Sequence, residues 1–317
     1  RDRYSDHFGR PPRGMWPAEG SVAQEIVTMV AGSGIEWMAS DEGVLAKSLG
    51  GDSFIRDSAE TVVQADQLYR PYTVQGKRGD PVAMIFRDVA ISDKVGFTYS
   101  GTPGEEAAAD FVSRVHNIRE QINESGAEGP HLVSVILDGE NAWEYYPENG
   151  HYFLSHLYHR LAEHPGFQLT TAERFLAEKS PEQATEERLV AGSWVYGTFS
   201  TWIGDPDKNR GWELLVEAKH RFDEQVASGR LTPDELVLAE EQLAICEGSD
   251  WFWWFGDYNP SETVSQFDQL YRMHLANLYQ LIKLEAPSYL SEVISRGGGR
   301  PSRGGVMRHH SESGGSG

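Results

Sequence analysis

Four apolar stretches of this chain each run into a carboxylate. Trp16-Pro17-Ala18 leads to Glu19, and Ile35–Ser40 leads to Asp41-Glu42. Val82–Arg87 leads to Asp88, and Leu132–Leu137 leads to Asp138-Gly139-Glu140. If these stretches are parallel strands of a β/α fold, their C-termini share one rim, where such folds place their chemistry. A ring of acids would then line a single mouth. Paired carboxylates suit the cleavage of an acetal: one attacks the carbon, the other protonates the leaving oxygen and later activates water. A hard cation of the Mg²⁺ type is the other natural occupant of such a ring. The plain alternative is helix capping, since Asp often follows a strand only to start the next helix. Four acids in succession, near several Trp, favour chemistry. No Gly-rich phosphate loop and no Gly-x-Ser-x-Gly turn occurs. Cys246 stands alone, which excludes an internal disulfide and a cysteine-based zinc site.

Such acids need elements to hold them. Ile35–Ala39, Val82–Phe86 and Leu132–Leu137 are nearly continuous in apolar residues, as expected of parallel strands covered on both faces, and Gly14–Trp16 is a weaker fourth. Ser21 is expected to cap a helix over Val22–Ala31, stopped by Gly32 and Gly34. Thr102-Pro103 opens a longer helix with Phe111, Val115, Ile118 and Ile122 on one face, ended by Gly126. The order predicts an α/β fold with a parallel sheet. Beyond about residue 150 the strand signals stop. Stripes at Phe153, Leu154, Leu157, Tyr158 and Leu161, and at Leu214, Leu215, Ala218, Phe222 and Val226, predict helices. Thr232-Pro233-Asp234-Glu235 is a capping box, and Ser261 opens a last helix through Phe267, Leu270, Tyr271, His274, Leu278 and Leu281. The expected division is 1–148 for the acid-bearing α/β part, 149–295 for a helical bundle domain, and 296–317 for a Gly-rich disordered tail that includes His309-His310.

Composition narrows the partners. Lys and Arg number 28 against 48 Asp and Glu, a formal net charge of −20. Such a surface repels phosphate backbones and anionic lipid, so nucleic acid and membranes are poor partners. No run of about 18 apolar residues occurs, and no metal or other cofactor is called for. The single Cys is compatible with the cytoplasm. Nine Trp in an acidic chain hint at sugar stacking, although core packing is the commoner use.

Longer strings then carry a resemblance. Met15-Trp16-Pro17-Ala18-Glu19-Gly20-Ser21 resembles the nucleophile motif of glycoside hydrolase family 57. Leu137-Asp138-Gly139-Glu140-Asn141-Ala142-Trp143-Glu144 looks like its proton-donor motif, and Glu247-Gly248-Ser249-Asp250-Trp251-Phe252-Trp253-Trp254-Phe255-Gly256-Asp257 looks like its last motif. Phe86-Arg87-Asp88, Ser92-Asp93 and Gly96-Phe97 are similar to the amylopullulanase-type branch, as are Ile35-Glu36-Trp37 and Asp41-Glu42. The matches run in family order from residue 14 to about 285. Ala18 and Tyr258-Asn259 depart from the branch pattern.

The resemblance implies a retaining α-glucan-active enzyme on an incomplete, seven-stranded β/α barrel followed by a helical domain. The four strands here would be its last four, so the chain is expected to be the C-terminal part of a longer polypeptide, or one that works with a complementing chain. Carried over by position, Glu19 would be the nucleophile and Asp138 the general acid/base. Arg87 would keep Glu19 ionised, while Asp88, Glu140 and Trp143 would push the Asp138 proton on by repulsion and desolvation. Trp16, Arg87, Asp88, Glu140, Trp143, Trp194, Trp202, Asp250 and Trp251 form the expected sugar-contact set, with core packing the rival use for each Trp. Glu42 is a rival nucleophile on strand logic, and Asp88 and Asp93 either bind sugar or only brace Arg87. Hydrolysis of α-1,4 and possible α-1,6 glucan links leads; glucan transfer (4-α-glucanotransferase or branching enzyme) uses the same two acids. A non-catalytic glucan-binding fragment is the third expectation.

Overall fold

The computed structural model describes residues 1–179, 184–186 and 188–298; for residues 140, 141, 179 and 184–186 it gives the backbone alone. The chain divides into two compact units, Arg1–Thr198 and a second from Phe199 onward. Residues 299–317 of the expected tail lie outside the described residues.

The first unit runs α1 (Asp2–Phe8), β1 (Gly14–Met15), α2 (Val27–Gly32), β2 (Trp37–Asp41), α3 (Glu42–Ser48), α4 (Ala65–Leu68), β3 (Tyr72–Gln75) and β4 (Pro81–Arg87). It continues through α5 (Val89–Asp93), α6 (Gly104–Ser125), α7 (Gly139–Ala142), α8 (His151–Glu163), α9 (Ala172–Lys179) and β5 (Ala184–Glu186). The sheet order is β1-β2-β4-β3-β5. β1, β2 and β4 are parallel, β3 is antiparallel to β4, and β5 is parallel to β3. The fold is α/β as expected, but the sheet is mixed rather than all parallel.

The difference has a local cause. Tyr72-Thr73-Val74 is buried throughout and folds back on β4 through a turn in which the Gly76 amide donates to the Asp80 carbonyl at 2.9 Å. So short a strand, set between Pro71 and Gly76, carries little periodic signal. It occupies the β4 edge opposite β2, and Leu132–Leu137, expected as a strand, forms none. That stretch meets β4 only at its end, through a parallel bridge between Arg87 and Ser134. The expected helix from Val22 also starts late. Val22 bridges Gly192, a 3₁₀ turn takes Gln24–Ile26, and Ser21 caps nothing.

α6 begins after Pro103 and closes at Gly126, which adopts φ 70°. Its Phe111 and Ile118 share the core with Phe153, Leu157 and Leu161 of α8. Burying each such side chain contributes about 1.5–3 kcal/mol. α8 therefore belongs to the first unit, and the boundary expected near 148 falls inside it.

The second unit holds α10 (Pro206–Ala227), α11 (Pro233–Cys246), α12 (Asp250–Trp254) and α13 (Ser261–Leu281). Leu214, Leu215, Ala218 and Phe222 are buried on α10, as are Val264, Tyr271, Leu275 and Leu278 on α13. The capping box closes as read: the Glu235 amide donates to the Thr232 hydroxyl oxygen and the Thr232 amide to the Glu235 carboxylate. No helix among the described residues is long and apolar enough to cross a membrane.

Lys208, in the first turn of α10, is wholly buried. Its ammonium donates to the carbonyls of Thr201 and Phe252 and lies 4.9 Å from the Tyr258 ring centroid. Burial pulls its pKa down from 10.5 to about 8, with Asp205 opposing. The folded pKa lies below the unfolded one, so the charged form weighs against the fold below about pH 8. That disadvantage fades as pH rises from about 8 to 10.5. The Tm of the wild type, measured relative to Lys208→Met, should therefore rise across this window. A flat difference would contradict the assignment.

Candidate active site

Register brings the first pair together. β2 and β4 align Asp41 with Arg87 at their C-terminal ends. Arg87 Nε donates to Asp41 Oδ2 at 2.8 Å, and Nη1 reaches Asp93 Oδ1 at 3.3 Å and the Ile136 carbonyl at 3.2 Å. Arg87 and Asp41 are both buried. Burial raises the pKa of Asp41 and of Asp93, while the Arg87 charge opposes the rise in each. Asp41 also caps α3 by accepting from the Gly43 amide at 2.8 Å.

A second arginine binds the next two acids. Arg56 Nη2 lies 2.5 Å from Glu42 Oε2 and 3.1 Å from Asp88 Oδ1. Glu42 accepts from the Val89 amide at 2.8 Å. Asp88 accepts from the Ile91 amide, capping α5, and from the Tyr69 hydroxyl. Burial raises the pKa of Glu42 and of Tyr69. Asp93 pairs with Arg87, one of the two uses weighed for it, while Asp88, only 1% exposed, pairs with Arg56 instead of Arg87. Protein donors hold Glu42, the rival nucleophile, in the same way.

Glu19 sits in a tight turn. The Ala18–Gly20 3₁₀ turn places it at φ 57°, ψ 23°, a left-handed conformation that a side-chain-bearing residue keeps only when its surroundings fix it. Three contacts do so. The Ser40 hydroxyl donates to the Gly20 carbonyl at 2.7 Å. The Trp194 amide donates to the Glu19 carbonyl at 3.0 Å, and the Trp194 indole N–H donates to Glu19 Oε2 at 2.7 Å. Gly20 is required next, because its φ is +59° and a Cβ there would lie 2.6 Å from the Trp16 ring.

Trp16 and Trp194 meet edge to face, with centroids 5.2 Å apart at 67°. The Arg87 guanidinium lies over the Trp194 ring, 4.9 Å from its centroid. A return segment delivers Trp194. The Val190 amide donates to Ser48 Oγ at 3.0 Å, and Lys47 Nζ donates to the carbonyls of Tyr196 and Gly197 at 2.9 and 2.8 Å. Gly43, Gly192 and Gly197 pack backbone on backbone. A Cβ on Gly192 would lie 2.6 Å from the Gly197 carbonyl oxygen, and one on Gly197 would lie 2.9 Å from the Gly43 carbonyl carbon.

Asp138 is half-buried at the N-cap of α7, where its side chain makes no capping bond. Two residues earlier, the Ile136 carbonyl accepts from Arg87 and the Ile136 amide donates to Ser92 Oγ at 3.1 Å. Arg87 therefore links the Trp194–Glu19 pair to the extended stretch that precedes Asp138.

The other expected sugar contacts divide between the two units. The Glu140 side chain lies outside the described residues. Trp143 packs on Tyr146 and Phe153 in the core of the first unit. In the second unit Trp202 is buried with its ring 5.8 Å from that of Trp253. Trp251 donates its indole N–H to the Ile245 carbonyl and packs on Tyr271 and His274. Asp250 is exposed at the start of α12. Arg56 and Tyr69 escaped sequence reading because no motif surrounds them; their partners are remote in sequence. Among the described residues no three His, Cys, Asp or Glu side chains group as cation ligands.

The comparisons agree with this architecture. No curated protein sequence matches the chain. A crystal structure of a family 57 branching enzyme from Thermococcus kodakaraensis superposes with a TM-score of 0.69 at 20% identity, covering 88% of this chain and 60% of that one. A branching enzyme of the same type from Pyrococcus horikoshii gives 0.63 at 18% identity, covering 97% and 68%. An α-amylase from Thermotoga maritima gives 0.64 at 17% identity, covering 89% and 61%. At these identities the likeness establishes the fold, and the chain spans 60% of the first structure's length. The family model for glycosyl hydrolase family 57 matches residues 1–190, more than half of the 317, and the chain belongs to that family.

Proposed function

We propose that this chain carries the two carboxylates of a retaining enzyme that acts on α-glucans by double displacement. The observation that carries the reading is the link through Arg87, which joins the Trp194–Glu19 pair to the stretch before Asp138. Glu19 is the nucleophile. The indole N–H on its carboxylate favours the ionised form. Asp138 is the general acid/base, a role supported by its motif and by its place just beyond Ile136.

In the first step the Glu19 carboxylate attacks the anomeric carbon. The glycosidic bond breaks, and its oxygen takes the Asp138 proton. In the second step Asp138 removes a proton from water as the water oxygen attacks the same carbon, and the glycosyl ester to Glu19 is released. Two inversions restore the α configuration. Where a glucan hydroxyl replaces water the result is transfer, a second reading favoured by the likeness to two branching enzymes. The amylopullulanase-type assignment rests on the Arg87-Asp88 and Asp41-Glu42 strings. The remaining strands of a seven-stranded barrel are proposed to come from a further segment or a complementing chain.

Incubation of the full-length protein with maltooligosaccharides tests the reading. The first product should be the α-anomer by ¹H NMR. New reducing ends would mark hydrolysis, and longer or branched chains would mark transfer. A β-anomer as first product, or no turnover, would overturn double displacement.

A further inference from the structure

Trp194 was expected to offer its face to a sugar ring, and its contacts point elsewhere. It reaches Glu19 twice, through the backbone amide at 3.0 Å and through the indole N–H at 2.7 Å. The edge-to-face contact with Trp16 and the Arg87 guanidinium 4.9 Å from its centroid together fix the indole plane. A cation therefore already lies over the ring that a sugar would stack on.

We propose that Trp194 is the positioning residue of Glu19, held in place by the Lys47 clasp on the carbonyls of Tyr196 and Gly197. The inference rests on the reading of Glu19 as nucleophile. Three physical points support it. Glu19 occupies a left-handed backbone conformation, φ 57°, which needs contacts from outside its own turn, and Trp194 supplies them. An indole N–H is a neutral donor that does not titrate in the working range. It fixes the rotation of the carboxylate and favours the anion without the stronger damping of nucleophilicity that a direct guanidinium pair would bring. Delivery is also over-determined: besides Lys47, the segment bearing Trp194 is fastened by Ser48 to Val190, by Gln24 to Leu189, and by the Val22–Gly192 bridge. Lys47 donates to the carbonyls two and three residues beyond Trp194, so it bears on Glu19 through that segment.

The test combines kinetics with a signature independent of turnover. In the full-length protein Trp194→Phe keeps an aromatic face and loses the N–H. We expect kcat to fall about tenfold or more with KM nearly unchanged, and the acidic limb of the kcat/KM profile to move to higher pH. Lys47→Met should move both in the same direction by less. In ¹H–¹⁵N spectra of the indole region, the resonance missing from Trp194→Phe should titrate with pH in the wild type and stop titrating in Glu19→Gln. A raised KM with unchanged kcat and acidic limb would make Trp194 a stacking platform and overturn the proposal. An indole resonance indifferent to Glu19→Gln would overturn it even if the kinetic variants fail to fold. Glu19→Ala with added azide, run in parallel, separates the two levels. Without azide rescue the nucleophile reading itself falls. Rescue alongside an unaltered Trp194→Phe profile sinks the positioning role alone.

Discussion

Glu19→Gln should cut turnover on the order of 10⁴-fold or more, about 5.4 kcal/mol of transition-state stabilisation, with little change in Tm. The amide has the shape of the carboxylate, and its carbonyl can still accept the Trp194 indole N–H, so the turn at φ 57° keeps its restraint. What disappears is the proposed nucleophile. Glu19→Ala leaves a gap in which azide can attack the anomeric carbon directly, and a single inversion would then give a β-glycosyl azide from an α-linked substrate. Asp138→Asn should differ in kind. Natural glucans need the proton and should stall at the first step. Aryl glucosides with acidic leaving groups do not need it, so they should glycosylate Glu19, release the aryl oxide, and show a burst before a slow second step. Full turnover in either variant, measured by reducing-end release, would refute the corresponding role.

The second large effect is on stability. Arg87→Met should cost about 3–5 kcal/mol by urea unfolding, because it strands buried Asp41 without its guanidinium. A second change, Asp41→Asn, should recover much of that loss, since the uncompensated charge is then gone. Arg87→Lys should not rescue it. One ammonium cannot reproduce a fork that reaches Asp41, Asp93 and the Ile136 carbonyl at once while lying over Trp194. Turnover should fall further than stability alone explains, because the Ile136 tie that steadies the approach to Asp138 is lost as well. An Arg87→Met variant as stable as the wild type would show that the ion pair is dispensable.

The apolar runs at Met38–Ala39 and Met84–Phe86 were legible because buried strands need continuous hydrophobicity, and the rim acids followed from where those strands end. The capping box at Thr232–Glu235 was legible because its chemistry lies within four residues. Other features depend on distance. Glu19 and Trp194 are 175 positions apart, and nothing near either one announces the bond. The same holds for Arg56, which meets Glu42 and Asp88 through a stretch with no regular periodicity. The Tyr72–Gln75 strand was missed because four residues carry too few repeats, and Leu132–Leu137 read as a strand on apolar continuity alone although it forms only a single bridge. The acids illustrate the limit of pattern reading. Asp41 and Asp88 do cap helices, as the plain alternative held, and each is also half of an arginine pair.

The glycine seam has a consequence for evolvability. Gly192 and Gly197 leave no room for a Cβ, and one on Gly43 would press on Asp41 Oδ1 at 3.1 Å, so drift or a mutant library can scarcely diversify the joint beneath Trp194. Tyr196 rides directly on that joint, 68% exposed, with its backbone carbonyl held by Lys47. Variation at the joint is thereby left to the outward Tyr196 side chain, whose backbone itself sits at φ 57°.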